Sequence, residues 1–210
     1  MHIPQLVYLT LAWLGYFALH SALASHTAKR RLVARLPHLI PHYRLAYNAL
    51  ALALLTVPLW LVHADHGEPL WRWTGLWRWM TVGLALAALI AFLWSLGCYD
   101  MGEFPGVGKA RHPVPRLILS PLHRYTRHPW YSLGLVVIWT RDMEPAWLVS
   151  CIAITLYLVI GSRWEEQKLV AEFGDAYQEY RKRVPRLVPV PGRRLTESEA
   201  AKIMKMGGRA

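Results

Sequence analysis

The chain contains four uncharged apolar stretches that are long enough, or nearly long enough, to cross a membrane as helices. They cover residues 3–24, 45–63, 80–98 and 145–162, and none contains Asp, Glu, Lys or Arg. A helix needs roughly 20 residues to cross the hydrocarbon core of a bilayer. A fifth apolar stretch, 130–140, is too short to span by itself. We therefore predict an all-α, polytopic integral membrane helical bundle with about five membrane segments.

Basic residues between the apolar stretches predict how the segments are oriented. Lys29, Arg30 and Arg31 follow the first stretch, and the C-terminal region is again basic. Positive residues favour the cytoplasmic side of a membrane. With five segments, this places the N-terminus outside and the C-terminus in the cytoplasm, in a multi-pass protein of the cell inner membrane. Positive-inside topology therefore explains the net charge of +11, and we predict membrane lipid, but no nucleic acid, as a partner.

The polar residues divide the chain into three regions. Residues 1–98 form a three-span membrane region, residues 99–191 contain the candidate functional residues, and residues 192–210 form a peripheral tail. In the middle region, the segments 130–140 and 145–162 are expected to form a helical hairpin with a short first arm. Such a hairpin returns the chain to the membrane surface that it left, so its two ends meet on the same side.

The sequence after the hairpin predicts cytoplasmic helices. Apolar and aromatic residues recur there at helical spacing, and Gly174 is expected to break the helix that carries them. In the tail, a Thr-x-x-Glu sequence from Thr196 to Glu199 predicts a capping box, and the helix should end at Gly207. The recurring residues are Leu169, Phe173, Tyr177, Tyr180 and Val184.

Candidate functional residues gather at the two ends of the hairpin. Arg127, His128 and Tyr131 precede or begin it, and Glu165 and Glu166 follow it. Charged groups cost about 2.5–3.5 kcal/mol at the centre of a membrane helix, so they usually face a cavity or a partner. Taken alone, Arg127 and His128 fit ordinary cytoplasmic positive residues, and the glutamates fit structural partners of a buried arginine. Their convergence at one depth indicates a site that opens to both cytosol and lipid.

Histidines elsewhere in the chain add one further candidate. His20 lies at the same predicted depth, near the inner end of the first apolar stretch. His112, His123 and His128 lack the spacing of metal ligands, so we predict no metal site. Residues 111–113 repeat the Arg-His-Pro tripeptide without the following tyrosine and provide an internal control.

Four motifs in the C-terminal half occur together in a known superfamily. They are Arg-His-Pro-x-Tyr at 127–131, Glu-Glu at 165–166, Phe-Gly-x-x-Tyr-x-x-Tyr at 173–180 and Val-Pro-Arg at 184–186. In this combination the chain resembles the isoprenylcysteine carboxyl methyltransferase superfamily. His20-Ser21 and Tyr47-Asn48 make it most similar to the bacterial methanethiol S-methyltransferase and NnrU-like branch.

The resemblance implies a methyltransferase that holds S-adenosylmethionine at its cytosolic face. Arginine and histidine suit the carboxylate of this cofactor, and glutamate suits its amine or ribose. Tyrosine rings suit its sulfonium or adenine. The cofactor-binding residues implied in this way are Arg127, His128, Tyr131, Glu165, Glu166 and Tyr177.

The methyl acceptor is expected to be a small or lipophilic thiol or carboxylate that reaches the site through the bilayer. A thiol must first lose its proton, and the candidate catalytic bases are His20, His128 and Glu165. A carboxylate acceptor needs no base.

Two other functions share some of these motifs. An NADPH-dependent sterol-type membrane reductase has a related Arg-His-Pro-x-Tyr pattern, normally with Asn before the tyrosine, where this chain has Trp130. An NnrU-like, non-enzymatic membrane protein of nitrogen-oxide metabolism would share every motif. On the sequence alone, both alternatives stay open.

Overall fold

Helices account for the regular structure of the described part of the chain. The computed structural model describes residues 3–35, 43–64, 67–99 and 116–208, and these ranges contain no β-strand beyond one isolated bridge. The predicted all-α class is therefore confirmed. The helices are α1 (Ile3–Ala24), α2 (His26–Arg35), α3 (Tyr43–Ala64), α4 (Gly75–Leu96), α5 (Pro129–Trp139), α6 (Pro145–Arg183) and α7 (Glu197–Gly207), with a short 3₁₀ helix at Pro121–Arg124.

Four of these helices, α1, α3, α4 and α6, are long and apolar enough to cross a membrane. The polytopic membrane class is thus confirmed. As predicted, the remaining apolar segment is short, because α5 has only 11 residues. In α6 the uncharged part ends at residue 162, so Glu165, Glu166 and all later residues lie beyond it.

The two largest differences from the predicted helices concern α2 and the start of α4. The basic segment after α1 was predicted only as a stop, yet it forms α2, and Ser25 Oγ caps this helix by accepting a hydrogen bond from Ala28 N–H at 3.1 Å. Helix α4 begins at Gly75 rather than at residue 80. Trp77 and Trp79, predicted in the preceding loop, therefore lie in its first turns. Charged Arg78 ends the apolar pattern, but a single arginine does not interrupt a helix.

Gly174 breaks α6, as predicted. Its backbone angles are φ 52° and ψ −127°, a region that favours glycine. In a straight helix, Glu166 and Arg181 would lie about 22 Å apart along the axis. Their side chains instead approach to 3.6 Å between Glu166 Oε2 and Arg181 Nε. The second arm of α6 therefore folds back on the first.

The described residues group into two compact units, and the first contains α1, α2, α3 and the start of α6 as far as Ile154. Helix α1 packs against α3. The buried indole of Trp13 donates from Nε1 to Ser150 Oγ at 2.9 Å, so its polar atom is satisfied. The buried core consists of Leu9, Trp13, Val62 and Ala146.

The second unit contains α4, the 3₁₀ helix, α5, the rest of α6 and α7. Helices α4 and α5 pack together, with Trp130 Nε1 donating to the buried Ser95 Oγ at 2.8 Å. The rings of Phe92 and Tyr99 lie edge-on to Trp130, with centroid distances of 5.4 and 5.1 Å. The three predicted regions 1–98, 99–191 and 192–210 follow sequence order and stay a prediction.

Helix α7 docks onto the second arm of α6. The predicted capping box is confirmed, because Glu199 N–H donates to Thr196 Oγ1 at 3.3 Å and Thr196 N–H donates to Glu199 Oε2 at 2.8 Å. At its other end, a Cβ on Gly207 would lie 2.9 Å from Leu117 Cβ, so this close approach requires glycine. The buried core here consists of Leu117, Leu119, Ala176, Tyr177, Tyr180, Val184, Leu195, Ala200 and Ile203.

Candidate functional site

The Arg-His-Pro and Val-Pro-Arg motifs bind each other through their backbones. Arg127 N–H donates to Pro185 O at 2.9 Å, and His128 N–H donates to Arg186 O at 3.1 Å. Thr126 Oγ1 donates to the same Arg186 carbonyl at 2.7 Å. These bonds hold the segment before α5 against the segment after α6, so the structure joins the two ends of the predicted site.

Arg127 and Glu166 form a buried ion pair at the centre of the second unit. Arg127 Nε lies 2.7 Å from Glu166 Oε1, and their side chains are only 8% and 2% exposed. Arg127 Nη1 also donates to the carbonyls of Arg181, at 2.9 Å, and Val184. Burial alone would raise the pKa of the Glu166 carboxyl, but hydrogen bonds from His128 and Arg127 outweigh it and lower this pKa to about 2. The pair therefore stays charged and ties both arms of α6 to the Arg-His-Pro motif.

His128 lies between the two glutamates. Its Nδ1 is 3.4 Å from Glu165 Oε2, and its Nε2 is 3.3 Å from Glu166 Oε1. Burial alone would lower the pKa of His128, but hydrogen bonds to both carboxylates outweigh burial and raise it. The imidazole is therefore favoured in its charged form, with both nitrogens as donors.

Tyr131 supports this arrangement. Its hydroxyl donates to Glu165 Oε2 at 3.1 Å, and its ring stacks on His128 with a centroid distance of 5.3 Å and an interplanar angle of 9°. Burial works against ionisation of Glu165, but the hydrogen bond and charge of His128 lower its pKa overall. Glu165 is also the accessible carboxylate of the pair, because its side chain is 47% exposed.

The complete cluster carries an excess of positive charge. Arg181 Nε lies 3.6 Å from Glu166 Oε2, and Arg186 Nε lies 3.4 Å from Glu166 Oε1. With Arg127 and protonated His128, four cations thus surround two carboxylates. The cluster retains two positive charges, which favour an anionic group on a bound molecule.

A cavity of about 380 Å³ adjoins this cluster. Four predicted site residues, Arg127, His128, Glu165 and Tyr177, contribute to its lining. The Tyr177 hydroxyl is buried and has no hydrogen-bond partner in the part of the chain that the structure describes. Its pKa is raised by burial first and then by the nearby Glu166 carboxylate, so it remains a neutral group that a ligand can satisfy.

The predicted residues take different positions around the cavity. Tyr131 and Glu166 hold His128 and Arg127 rather than lining the cavity itself. His20 belongs to the first unit, where its Nε2 lies 2.8 Å from Tyr47 Oη. The control tripeptide at 111–113 lies outside the described residues. Among the described residues, no group of three or more His, Cys, Asp and Glu could hold a metal ion.

The sequence analysis missed several residues of the cavity wall. The apolar and aromatic residues at helical spacing, which include Leu169 and Phe173, indicated part of the wall. No sequence pattern marked Tyr99 or His123, since they reach the cavity through packing between distant segments. The residues not assigned from the sequence are Tyr99, Arg116, Leu117, Ile118, Leu119, His123, Leu169, Glu172, Phe173 and Tyr180.

A larger cavity of about 580 Å³ lies between α6 and α7 and contains none of the predicted site residues. Its charged side chains are paired: Arg183 Nη1 lies 2.7 Å from Glu199 Oε1, and Arg183 Nε lies 2.9 Å from Glu179 Oε1. Because these pairs are about half exposed, they resemble an ordinary solvated surface.

Acid should weaken the fold through Glu166. Its pKa is lowered from 4.5 to about 2 in the folded protein, so its stabilising effect is present above pH 4.5 and is lost as the pH falls towards 2. We expect the thermal midpoint of the wild type to fall over this range, and that of Glu166→Gln to start lower and fall less. Tryptophan fluorescence melts measure this difference. The Glu197 side chain is 94% exposed, so the thermal midpoint of Glu197→Gln should fall with pH as it does in the wild type. If the thermal midpoint of Glu166→Gln fell as much as that of the wild type, Glu166 would not be the group responsible.

The fold and site define a class of protein: an all-α polytopic membrane protein with a positively charged cluster beside a ligand-sized cavity. The chain is 30% identical over 198 residues to methanethiol S-methyltransferase 2 of Bradyrhizobium diazoefficiens, covering 90% of this chain and 75% of that protein. It is 31% identical over 204 residues to methanethiol S-methyltransferase of Mycobacterium tuberculosis, covering 91% and 81%. The corresponding protein of Crocosphaera subtropica is 27% identical over 191 residues, covering 86% and 74%. The chain belongs to the methanethiol S-methyltransferase family.

Membership of this family indicates a methyltransferase, and it favours neither the reductase nor the NnrU-like alternative. No protein-family model and no solved structure matches the chain.

Proposed function

We propose that the protein is an integral membrane methyltransferase that uses S-adenosylmethionine to methylate a small or lipophilic thiol at the cytoplasmic leaflet. The observation that carries the proposal is the cluster of Arg127, His128, Glu165 and Glu166 beside the 380 Å³ cavity. Relatives are named for methanethiol, a thiol, which favours a thiol over a carboxylate acceptor. We place the protein in the cell inner membrane with its N-terminus outside and its C-terminus in the cytoplasm.

The residues present fit S-adenosylmethionine, which supplies a methyl group activated by a positively charged sulfur. The cavity volume lies within the usual range of ligand sites, roughly 300–1,000 Å³. The excess positive charge around His128 suits the carboxylate of the cofactor, and the accessible Glu165 carboxylate suits its amine. The buried, unpartnered hydroxyl of Tyr177 suits a further polar atom.

The other predicted cofactor residues contribute mainly by holding these groups in place. Arg127 donates hydrogen bonds to Glu166 Oε1 and to the Arg181 carbonyl, so this pair fixes the wall of the cavity. Tyr131 stacks on His128 and donates to Glu165. A wall fixed in this way pre-orients the reacting groups and limits access of water, which are the main contributions a protein makes to a direct displacement.

The predicted bases differ in how well they suit a thiol proton. His128 is favoured in its charged form and Glu165 has a lowered pKa, so both accept a proton poorly near neutral pH. His20 belongs to neither ion pair and instead contacts Tyr47 Oη. We assign His128 and Glu165 to cofactor binding, and the role of His20 as the proton acceptor for a thiol stays a prediction from the sequence.

Calorimetric titration with S-adenosylmethionine tests this proposal. We expect wild-type protein to bind, and Glu165→Gln to bind about ten- to hundredfold more weakly, because one charged hydrogen bond is worth about 1.5–3 kcal/mol. Tyr177→Phe should weaken binding by a smaller factor. Glu197→Gln provides the matched control, since its carboxylate is exposed on α7.

Two results would contradict the proposed function. The first is a wild-type protein that melts cooperatively but shows no heat of binding with S-adenosylmethionine. The second is hydride transfer from NADPH to an enone sterol, which would restore the reductase alternative. If binding is found, incubation with methyl-labelled cofactor and a panel of thiols and carboxylates identifies the acceptor.

A further inference from the structure

His123 lines the cavity but takes no part in the charged cluster. Its Nδ1 lies 2.7 Å from Ser120 Oγ. The carbonyl of His123 accepts a hydrogen bond from the buried Tyr180 hydroxyl at 2.7 Å. Both its ring and its backbone are therefore fixed by neighbouring groups.

The His123 ring is neutral near neutral pH. Burial and, to a smaller extent, the nearby positive charge of His128 lower the pKa of His123 to about 4, against the opposing effect of Glu165. Ser120 is buried, and Nδ1 is the acceptor that its hydroxyl meets in the described part of the chain, so Ser120 Oγ donates to Nδ1. In this tautomer the proton is on Nε2. No residue in the described part of the chain hydrogen-bonds Nε2, which therefore remains available as a donor.

A neutral donor on this wall suits a different part of the ligand from the charged cluster. It cannot neutralise a carboxylate, and the cations around Glu166 already provide that charge. The packed core that includes Leu117, Leu119 and Tyr180 also contributes to the cavity wall. Aromatic and apolar side chains with one precisely oriented donor are typical of a site for a flat heteroaromatic ring. Adenine is such a ring, and its N1, N3 and N7 atoms are hydrogen-bond acceptors.

We propose that His123 binds the adenine of S-adenosylmethionine, with Nε2–H donating to a ring nitrogen while Ser120 holds the imidazole in that tautomer. This assignment rests on the proposed function. It separates the site into a charged part for the amino-acid end of the cofactor and a neutral part for its base.

Two ligands that differ by the amino-acid end distinguish these parts. S-Adenosylhomocysteine contains both the adenosine and the amino acid, whereas methylthioadenosine retains the adenosine alone. We expect His123→Ala to weaken both ligands by the same factor, about tenfold, the upper value for one neutral hydrogen bond. Glu165→Gln should weaken S-adenosylhomocysteine strongly and leave methylthioadenosine almost unchanged. Calorimetry on purified full-length protein in detergent measures all four affinities.

The controls separate failure of this assignment from failure of the proposed function. Tyr125→Ala, which removes an exposed ring from the same loop, should bind both ligands like the wild type. A wild type that binds neither ligand would overturn the proposed function and this assignment with it. Wild-type binding with an unchanged affinity in His123→Ala would overturn this assignment alone. A loss of affinity in His123→Ala for S-adenosylhomocysteine alone would also overturn this assignment, because His123 would then act on the amino-acid end.

A second measurement keeps the assignment testable if His123→Ala does not fold. Analogues of S-adenosylhomocysteine in which N1, N3 or N7 is replaced by CH can be titrated into the wild type. One of the three should bind about tenfold more weakly, and His123→Gln, which retains a side-chain N–H donor, should bind the parent ligand more tightly than His123→Leu. Equal affinity for all three analogues and the parent would contradict the proposed hydrogen bond.

Discussion

Replacing Glu166 with alanine is expected to lower the free energy of unfolding by about 3–5 kcal/mol, the loss that follows removal of one partner from a buried ion pair. The Glu166 side chain is 2% exposed and faces Arg127 at 2.7 Å, with Arg181 and Arg186 close by. Without the carboxylate, the Arg127 cation stays buried without its counter-charge. Chemical or thermal unfolding in detergent, under conditions where it is reversible, measures the loss.

The double variant Arg127→Ala/Glu166→Ala should lose less stability than the sum of the two single variants. Once one charge of the pair is gone, removing the other also removes an uncompensated buried charge. Affinity for S-adenosylmethionine should be non-additive in the same way, because each single change already disturbs the cavity wall. Additive effects on both quantities would show that the two ends do not form one site.

Two controls make this double-mutant cycle specific. Arg183 and Glu199 are also 2.7 Å apart, but their side chains are 45% and 39% exposed. Arg183→Ala and Glu199→Gln, which retains the capping box, should therefore each cost no more than about 1 kcal/mol. The second control replaces Arg111 and His112 with alanine. Residues 111–113 repeat the Arg-His-Pro tripeptide, so this variant removes the same side chains from another place in the chain. It should change cofactor affinity far less than the loss of Arg127.

Replacing His20 with asparagine is expected to lower kcat for a thiol by about a hundredfold or more, since general-base catalysis typically contributes 10²–10⁴-fold. Affinity for S-adenosylmethionine should change little, because cofactor binding is assigned to other residues. Tyr47→Phe removes the hydroxyl that lies 2.8 Å from His20 Nε2 and should give a smaller loss of kcat. Single-turnover methyl transfer from labelled cofactor, combined with calorimetry, separates chemistry from binding.

His63→Asn is the matched control for His20. It changes another histidine of an apolar helix, near the end of α3, and should leave kcat unchanged. Equal kcat values for His20→Asn and the wild type would remove His20 from the reaction. A loss of cofactor affinity equal to the loss of kcat would instead assign His20 to binding.

Much of the fold was predictable because local rules govern it. The bounds of α1, the break at Gly174 and the capping box at Thr196 follow from hydropathy and from the conformational preferences of single residues. The helical form of α2 was missed because its basic composition suggested only a stop signal. The start of α4 was missed because Arg78 interrupts the apolar pattern without interrupting the helix.

The site was predictable in outline for a topological reason. A hairpin returns the chain to its starting surface, so the Arg-His-Pro and Glu-Glu motifs had to approach each other. Which cation pairs with Glu166 depends on the fold-back of α6, and the sequence contains no pattern for that. Likewise, Tyr99 and His123 reach the same cavity wall only through packing between distant segments. These contacts lie beyond the reach of periodicity and motif spacing.

The turn at Gly174 determines whether the cavity can form. Glu165 lies before the turn and Tyr177 after it, and both contribute to the cavity wall, whereas Gly174 contributes nothing to that wall. A Cβ at this position would meet no atom within 4 Å, so a larger residue would be opposed only by its own backbone preference. If the backbone straightened, Tyr177 would move about three helical turns away from Glu166. The backbone conformation of one residue therefore decides whether there is room for a ligand, while the lining side chains decide only which ligand that is.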